Sequence, residues 1–138
     1  MIAIDAFRKA MQRIASQEGD FTLYALFRRA NGVGNWDLVV SAPWLAKSRY
    51  QAISEFVDLL AKSIGRKSLV ELARVETIPG NDPNLKSILA DFPVDEGEPE
   101  RRMQNVDLFG LEMEEAIILR AKRPAPKKPA RRVLQRAS

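Results

Sequence analysis

The sequence concentrates positive charge in its last 19 residues, whose side chains can form ion pairs with an anionic partner. Residues 120–138 hold eight Lys or Arg and no Asp or Glu. The whole chain has 22 basic and 18 acidic residues, so subtracting those eight leaves 14 basic and 18 acidic residues, a net charge of −4, in residues 1–119. Such a polycation favours polyanions, because each side chain can neutralise one phosphate. The predicted nucleic-acid contacts are Arg120, Lys122, Arg123, Lys127, Lys128, Arg131, Arg132 and Arg136.

This basic arm, residues 120–138, lacks the features of a packed segment. Pro124, Pro126 and Pro129 forbid a continuous helix, and a composition of Lys, Arg, Pro and Ala predicts disorder. The arm has no aromatic residue to stack on a base, so binding through it would not depend on nucleic-acid sequence. Two alternatives stay open. The arm is a solubilising extension without a dedicated partner, which the composition favours slightly, or it docks on a protein or a membrane surface.

A second candidate site is the segment WDLVVSAPWLAK, residues 36–47. Trp36 and Trp44 bracket a predicted strand, and such aromatic residues either form the wall of a ligand pocket or belong to the core. In a chain with only two Trp, the core is the favoured interpretation. Asp37, Ser41 and Lys47 are the polar residues nearby. A small-molecule pocket, if there is one, is therefore predicted among these five residues.

The chain lacks the two residue types that most often perform acid–base and nucleophilic chemistry. It has no Cys and no His, which excludes disulfides, thiolate nucleophiles, Cys-ligated zinc and catalytic triads that contain histidine. Catalysis would depend on carboxylates, Lys, Tyr, Ser or bound Mg²⁺. We predict no cofactor and no catalytic residue. A carboxylate- or Mg²⁺-dependent enzyme with its site near residues 36–47 is the alternative.

Four acids on or beside predicted strands are the candidate ligands for such a Mg²⁺ ion. They lack the spacing of an acid followed two residues later by Lys, which many metal-dependent nucleases carry on a strand. The alternation of strand faces places acids in solvent by default. We therefore predict no metal site. The four acids are Asp37, Glu76, Asp107 and Glu114.

Two glycine-containing stretches share only part of the pattern of a phosphate-binding loop. Residues Asn31 to Asn35 precede a predicted strand rather than a helix, so they indicate the turn of a β-hairpin. The sequence Gly65-Arg66-Lys67-Ser68 lacks the upstream glycine of such a loop, and Gly65 predicts the end of a helix.

A polar loop over residues 93–102 contains the acids of residues 95–100. These acids are either solvated charge or a contact surface for the basic arm or a basic partner. Exposed ion pairs contribute only about 0–1 kcal/mol each, so docking of the arm would need several at once.

Hydrophobic periodicity predicts the elements that must position these residues. It indicates helices over 2–17, 44–64 and 82–91, and strands over 21–28, 36–42, 73–78, 104–109 and 115–121. The order αββαβαββ predicts a single-domain α+β fold, with about five strands in a mixed or antiparallel sheet and two to three helices packed on one face. The predicted domain spans residues 1–119 and the basic arm residues 120–138.

These observations favour a protein that works by binding rather than by chemistry. No run approaches the ~18 apolar residues of a membrane span, and the first residues lack the order of a signal peptide, so we predict a cytoplasmic protein without a membrane partner. We expect a small interaction protein that binds a protein partner or forms a homo-oligomer, through the apolar strand 116–119 or an edge of the hairpin. Nucleic acid is the predicted partner of the arm. A structural or regulatory subunit of a protein complex is a further alternative.

Overall fold

A computed structural model of the protein describes residues 2–30, 35–46, 49–95 and 97–124, with side chains outside the description at 46–52. Several predictions made from the sequence fall outside these residues. They are the turn at residues 31–34, the pocket residue Lys47, and the arm residues Lys127, Lys128, Arg131, Arg132 and Arg136.

The described chain is an α+β domain with the predicted order of elements. Apart from a 3₁₀ turn over Pro43–Ala46, its helices and strands are α1 (Ile4–Glu18), β1 (Leu23–Arg29), β2 (Trp36–Ser41), α2 (Arg49–Leu69), β3 (Leu72–Thr77), α3 (Pro83–Asp91), β4 (Arg101–Leu108) and β5 (Leu111–Ala121). The predicted fold class is confirmed.

The five strands form one mixed sheet in the order β3-β2-β1-β5-β4. Only β2 and β3 pair in parallel, with α2 as the crossover between them. The strand that contains residues 116–119 pairs with β1 on one side and β4 on the other. Both strands of the hairpin are also interior. A partner strand therefore cannot pair with residues 116–119 or with the hairpin strands, because those backbone groups already have partners. The predicted homo-oligomer stays a prediction. The edges of this sheet are β3 and β4.

Helices cover both faces of the sheet. Tyr24, Leu26 and Leu38 pack in one core cluster with buried residues of α1 and α2. Ala25 and Phe27, which alternate with them, pack in a second cluster with buried residues of α3. The prediction that all helices lie on one face is wrong for α3. The chain must pass from β3, at one edge of the sheet, to β4, at the other, and α3 lies on this connection.

The predicted boundaries differ from the structure where local signals compete. Gly65, predicted as the end of a helix, does break the helical geometry (φ 81°, ψ 165°), but a second helical segment follows this kink and ends α2 at Leu69. Residues 44–46, predicted as the start of this helix, form the 3₁₀ turn instead. β5 begins at Leu111 and β4 at Arg101, so the hairpin between them is longer than predicted.

The phenol of Tyr24 joins α1 to the sheet. Its hydroxyl donates a hydrogen bond to the Phe7 carbonyl oxygen over 3.0 Å, and the side chain is fully buried. Burial disfavours the phenolate and raises the pKa of Tyr24 above its usual value of 10.0. The folded state therefore holds the neutral phenol, whereas the unfolded chain ionises near pH 10.

Replacing Tyr24 with Phe is expected to lower the free energy of unfolding by about 1 kcal/mol, the net contribution of one hydrogen bond. Chemical denaturation at neutral pH measures this loss. Because the raised pKa stabilises the fold only below the pKa of the unfolded chain, stability due to Tyr24 declines as the pH rises above about 10. The variant should lose that part of the alkaline decline, and an identical decline in both proteins would contradict the assignment.

Candidate functional site

The four described residues of the predicted pocket are divided between the two faces of the sheet. Trp36 and Trp44 pack in the cluster beneath α1 and α2, and the Trp44 Nε1–H donates to the Gly19 carbonyl oxygen over 2.9 Å. Asp37 alternates with Trp36 and therefore lies on the other face of the sheet. Ser41 is buried at the far end of the strand, about 17 Å from Trp36 at the rise of a strand. The two tryptophans thus pack with one core cluster, whereas the two polar residues lie on the opposite face of the sheet.

The candidate metal ligand Asp37 is neutralised by arginine. Its side chain is only 8% exposed, and its carboxylate lies 3.0 Å from Arg29 Nε and 3.6 Å from Arg74 Nε. Arg74 also lies 3.9 Å from the carboxylate of Glu76. Two guanidiniums supply the positive charge that a buried carboxylate requires, so Asp37 is paired within the sheet.

The other predicted acids are also dispersed. Glu114 pairs with Arg28, which in turn contacts Glu115 and lies 5.4 Å from the ring centroid of Trp36. Among the described residues, no three acids lie close enough together to hold a metal ion.

The grooves of the domain lie at its other end, where β5 finishes and β4 begins. One, of about 760 Å³, is called here the basic groove. Its lining carries four cations and two carboxylates, a net charge of +2, together with apolar residues that include Leu89 and Pro93. All four cationic side chains are exposed. They are Lys86, Arg101, Lys122 and Arg123.

The first residues of the basic arm are held against the domain at this groove. The backbones of Ala121 and Val94 exchange two hydrogen bonds of 2.9 and 3.2 Å, and the Lys122 N–H donates to the Thr22 carbonyl oxygen over 2.9 Å. Lys122 Nζ lies 2.6 Å from Asp95 Oδ2, and Arg123 donates to the Gly80 carbonyl oxygen over 3.1 Å. The folded domain therefore continues past the predicted boundary at residue 119.

Arg120 differs from the other predicted nucleic-acid contacts. It lies inside β5 and is 8% exposed, with its Nε donating to the Phe21 carbonyl oxygen over 3.1 Å. Its Nη2 is 3.8 Å from Asp20 Oδ2. The sequence composition assigned Arg120 to the arm, whereas the contacts of Arg120 show that it belongs to the folded domain. Of the eight predicted contacts, Lys122 and Arg123 are exposed on the domain, and the remaining five lie outside the described residues.

A second groove, of about 620 Å³, is called here the acidic groove. It separates α1 from the loop that carries Asp95, Glu98 and Glu100, called here the acidic loop. Its apolar lining residues include Met11, Ala15, Phe21 and Leu119. Its lining carries four carboxylates and two guanidiniums, a net charge of −2. The carboxylates are Asp20, Asp95, Glu98 and Glu100, and the guanidiniums are Arg8 and Arg120.

The acidic groove was not predicted from the sequence. Its two walls are α1 and the loop, which lie far apart in the chain and meet through the pair of Arg8 with Glu100. Asp95 and Glu98 line both grooves, so this part of the loop forms the boundary between a basic and an acidic surface.

A scan against protein-family models and searches of curated proteins and solved structures found no match to this chain. Across the described ranges, no helix combines the length and the apolar character required to cross a membrane.

Proposed function

We propose that this protein is a non-enzymatic binding protein whose basic arm gives it sequence-independent affinity for nucleic acid. The observation that carries the proposal is the place at which the arm leaves the domain. Lys122 and Arg123 leave the domain beside Lys86 and Arg101, so the charge of the arm is continuous with a cationic groove of the folded domain. A polyanion could contact both surfaces at once.

The charge of the arm supports nucleic acid as the class of partner. Residues 122–138 carry seven cations and no acid, whereas residues 1–119 carry a net charge of −4. Because the domain itself repels phosphates, a nucleic acid should be oriented toward the arm and the basic groove. Neither surface contains an aromatic side chain, so contacts would go to the phosphates rather than to the bases.

The alternative of an enzyme near residues 36–47 receives less support. The side chains of Trp36 and Trp44 are packed in the core, and the carboxylate of Asp37 is paired with two arginines. A binding protein requires none of these residues to be free. A role as a subunit of a protein complex stays a prediction, and the edges β3 and β4 are where a partner strand would pair.

Two matched triple variants test the proposal in the full-length chain. Lys127→Gln/Lys128→Gln/Arg131→Gln removes charge from the arm, and Lys62→Gln/Arg66→Gln/Lys67→Gln removes the same three charges from exposed positions of α2. Both change the net charge from +4 to +1. Fluorescence anisotropy with mixed-sequence DNA and RNA gives the affinity between about 50 and 300 mM salt, a range in which counterion release is pronounced.

The arm variant is expected to reduce the log–log salt slope by about 2 to 3, because each lost phosphate contact removes about 0.7 to 0.9. The α2 variant should leave the slope unchanged. An equal change in both variants would mean that overall charge, and not the arm, attracts the nucleic acid. Absence of binding by the unmodified protein at the lowest salt would overturn the proposal.

A further inference from the structure

The acidic groove has a shape and a charge that suit a segment of this chain. Its lining includes the apolar residues Met11, Ala15 and Leu119 and has a net charge of −2. This negative charge repels phosphates, so the groove does not suit the partner of the basic arm. The same charge attracts a cationic peptide, and the apolar part of the lining favours a peptide that also carries apolar side chains.

The end of the basic arm has this composition. Residues 131–136 read Arg-Arg-Val-Leu-Gln-Arg, and Val133 and Leu134 are the only large aliphatic residues after β5. Three arginines flank this apolar pair. We infer that Val133 and Leu134 occupy the acidic groove of the same molecule, with the neighbouring arginines against its carboxylates.

The length of the arm allows this contact. From Pro124 to Val133 the chain spans at most about 30 Å when extended. The groove follows α1 from Arg8 to Ser16, which is about 12 Å at the rise of a helix. The arm starts close by, because Lys122 is paired with Asp95, and Asp95 belongs to the lining of the acidic groove.

The ion pair of Lys122 Nζ with Asp95 Oδ2, which lie 2.6 Å apart, already joins the first residues of the arm to the acidic loop. A single exposed pair of this kind contributes too little stability to hold an arm of this length. Burial of the apolar pair against the groove supplies the further stabilisation. The contact therefore depends on Val133 and Leu134 as well as on charge.

Paramagnetic relaxation enhancement tests this inference in the full-length chain. Because the chain has no Cys, Ser138→Cys gives one site for a nitroxide label in a ¹⁵N-labelled protein. The amides of Met11, Ala15 and Gly97 should lose intensity. The amide of Gly110, in the turn between β4 and β5 at the other end of the sheet, should not.

The control is Val133→Ser/Leu134→Ser with the same label, which keeps every charge of the arm. The intensity loss at Met11 and Ala15 should disappear in this variant. If it persists, charge alone brings the arm near the groove and the inference is wrong. A loss that appears only when labelled and ¹⁵N-labelled molecules are mixed would assign the groove to the arm of a second copy. No nucleic acid is present, so failure here leaves the proposed function untouched.

Discussion

Phe21→Ala is expected to lower the free energy of unfolding by about 3 to 5 kcal/mol, the typical cost of removing a buried aromatic side chain. Phe21 is 1% exposed and meets three aromatic rings edge to face. The centroid distances are 5.0 Å to Tyr24, 5.4 Å to Trp44 and 5.9 Å to Phe56. The substitution leaves a cavity between a strand, a helix and the 3₁₀ turn, and these elements cannot all move inward to fill it.

Denaturant titration of the full-length chain measures this loss. The control is Val70→Ala at a residue that is 67% exposed, where a change within about 0.5 kcal/mol is expected. Phe21→Leu should cost less than Phe21→Ala, because it retains most of the apolar volume and loses only the ring contacts. Equal stability of the unmodified protein and Phe21→Ala would contradict the placement of Phe21 in the core.

The elements that sequence reasoning predicted well are those with local causes. Asp82 followed by Pro83 indicates the start of a helix, and in the structure Asp82 Oδ1 accepts a hydrogen bond from the Asn84 N–H over 2.8 Å. The alternation of Tyr24 and Leu26 with Ala25 and Phe27 indicates a strand with two apolar faces. Both signals act within a few residues, so no knowledge of the rest of the chain is required.

The features that sequence reasoning missed depend on contacts between distant residues. The pairing of Tyr24 with Arg120 places the last residues of β5 inside the sheet, although the composition around Arg120 is that of an exposed arm. Likewise, the acidic groove exists only because the acidic loop packs against α1 in the folded chain. Arg8 carries no sequence signal that its partner is Glu100, because the interaction depends on how the chain folds between them.

The role of Gly19 depends both on a local sequence signal and on a contact between distant residues. Its replacement is the second substitution with a large expected effect on stability. Its angles (φ 123°, ψ 165°) lie in a region that residues with a Cβ rarely adopt. A Cβ at this position would also lie 3.1 Å from Trp44 Cδ1. The sequence indicates that Gly19 ends α1, but the contact with Trp44 depends on the tertiary fold.

Gly19→Ala is therefore expected to lower the free energy of unfolding by about 3 kcal/mol, from strain in the backbone and from displacement of the Trp44 ring. A shift of that ring also weakens the hydrogen bond from its Nε1–H to the Gly19 carbonyl oxygen. Denaturant titration measures the total loss. Thermal unfolding followed by circular dichroism gives an independent measure of the same loss.

Gly65→Ala is the matched control, because Gly65 has a similarly disfavoured backbone (φ 81°, ψ 165°) but no atom within 4 Å of the added Cβ. It should show the backbone strain alone, about 1 to 3 kcal/mol. The difference between the two variants then measures the contact with Trp44. Equal losses would mean that the ring moves aside without cost and that Gly19→Ala acts through backbone strain alone.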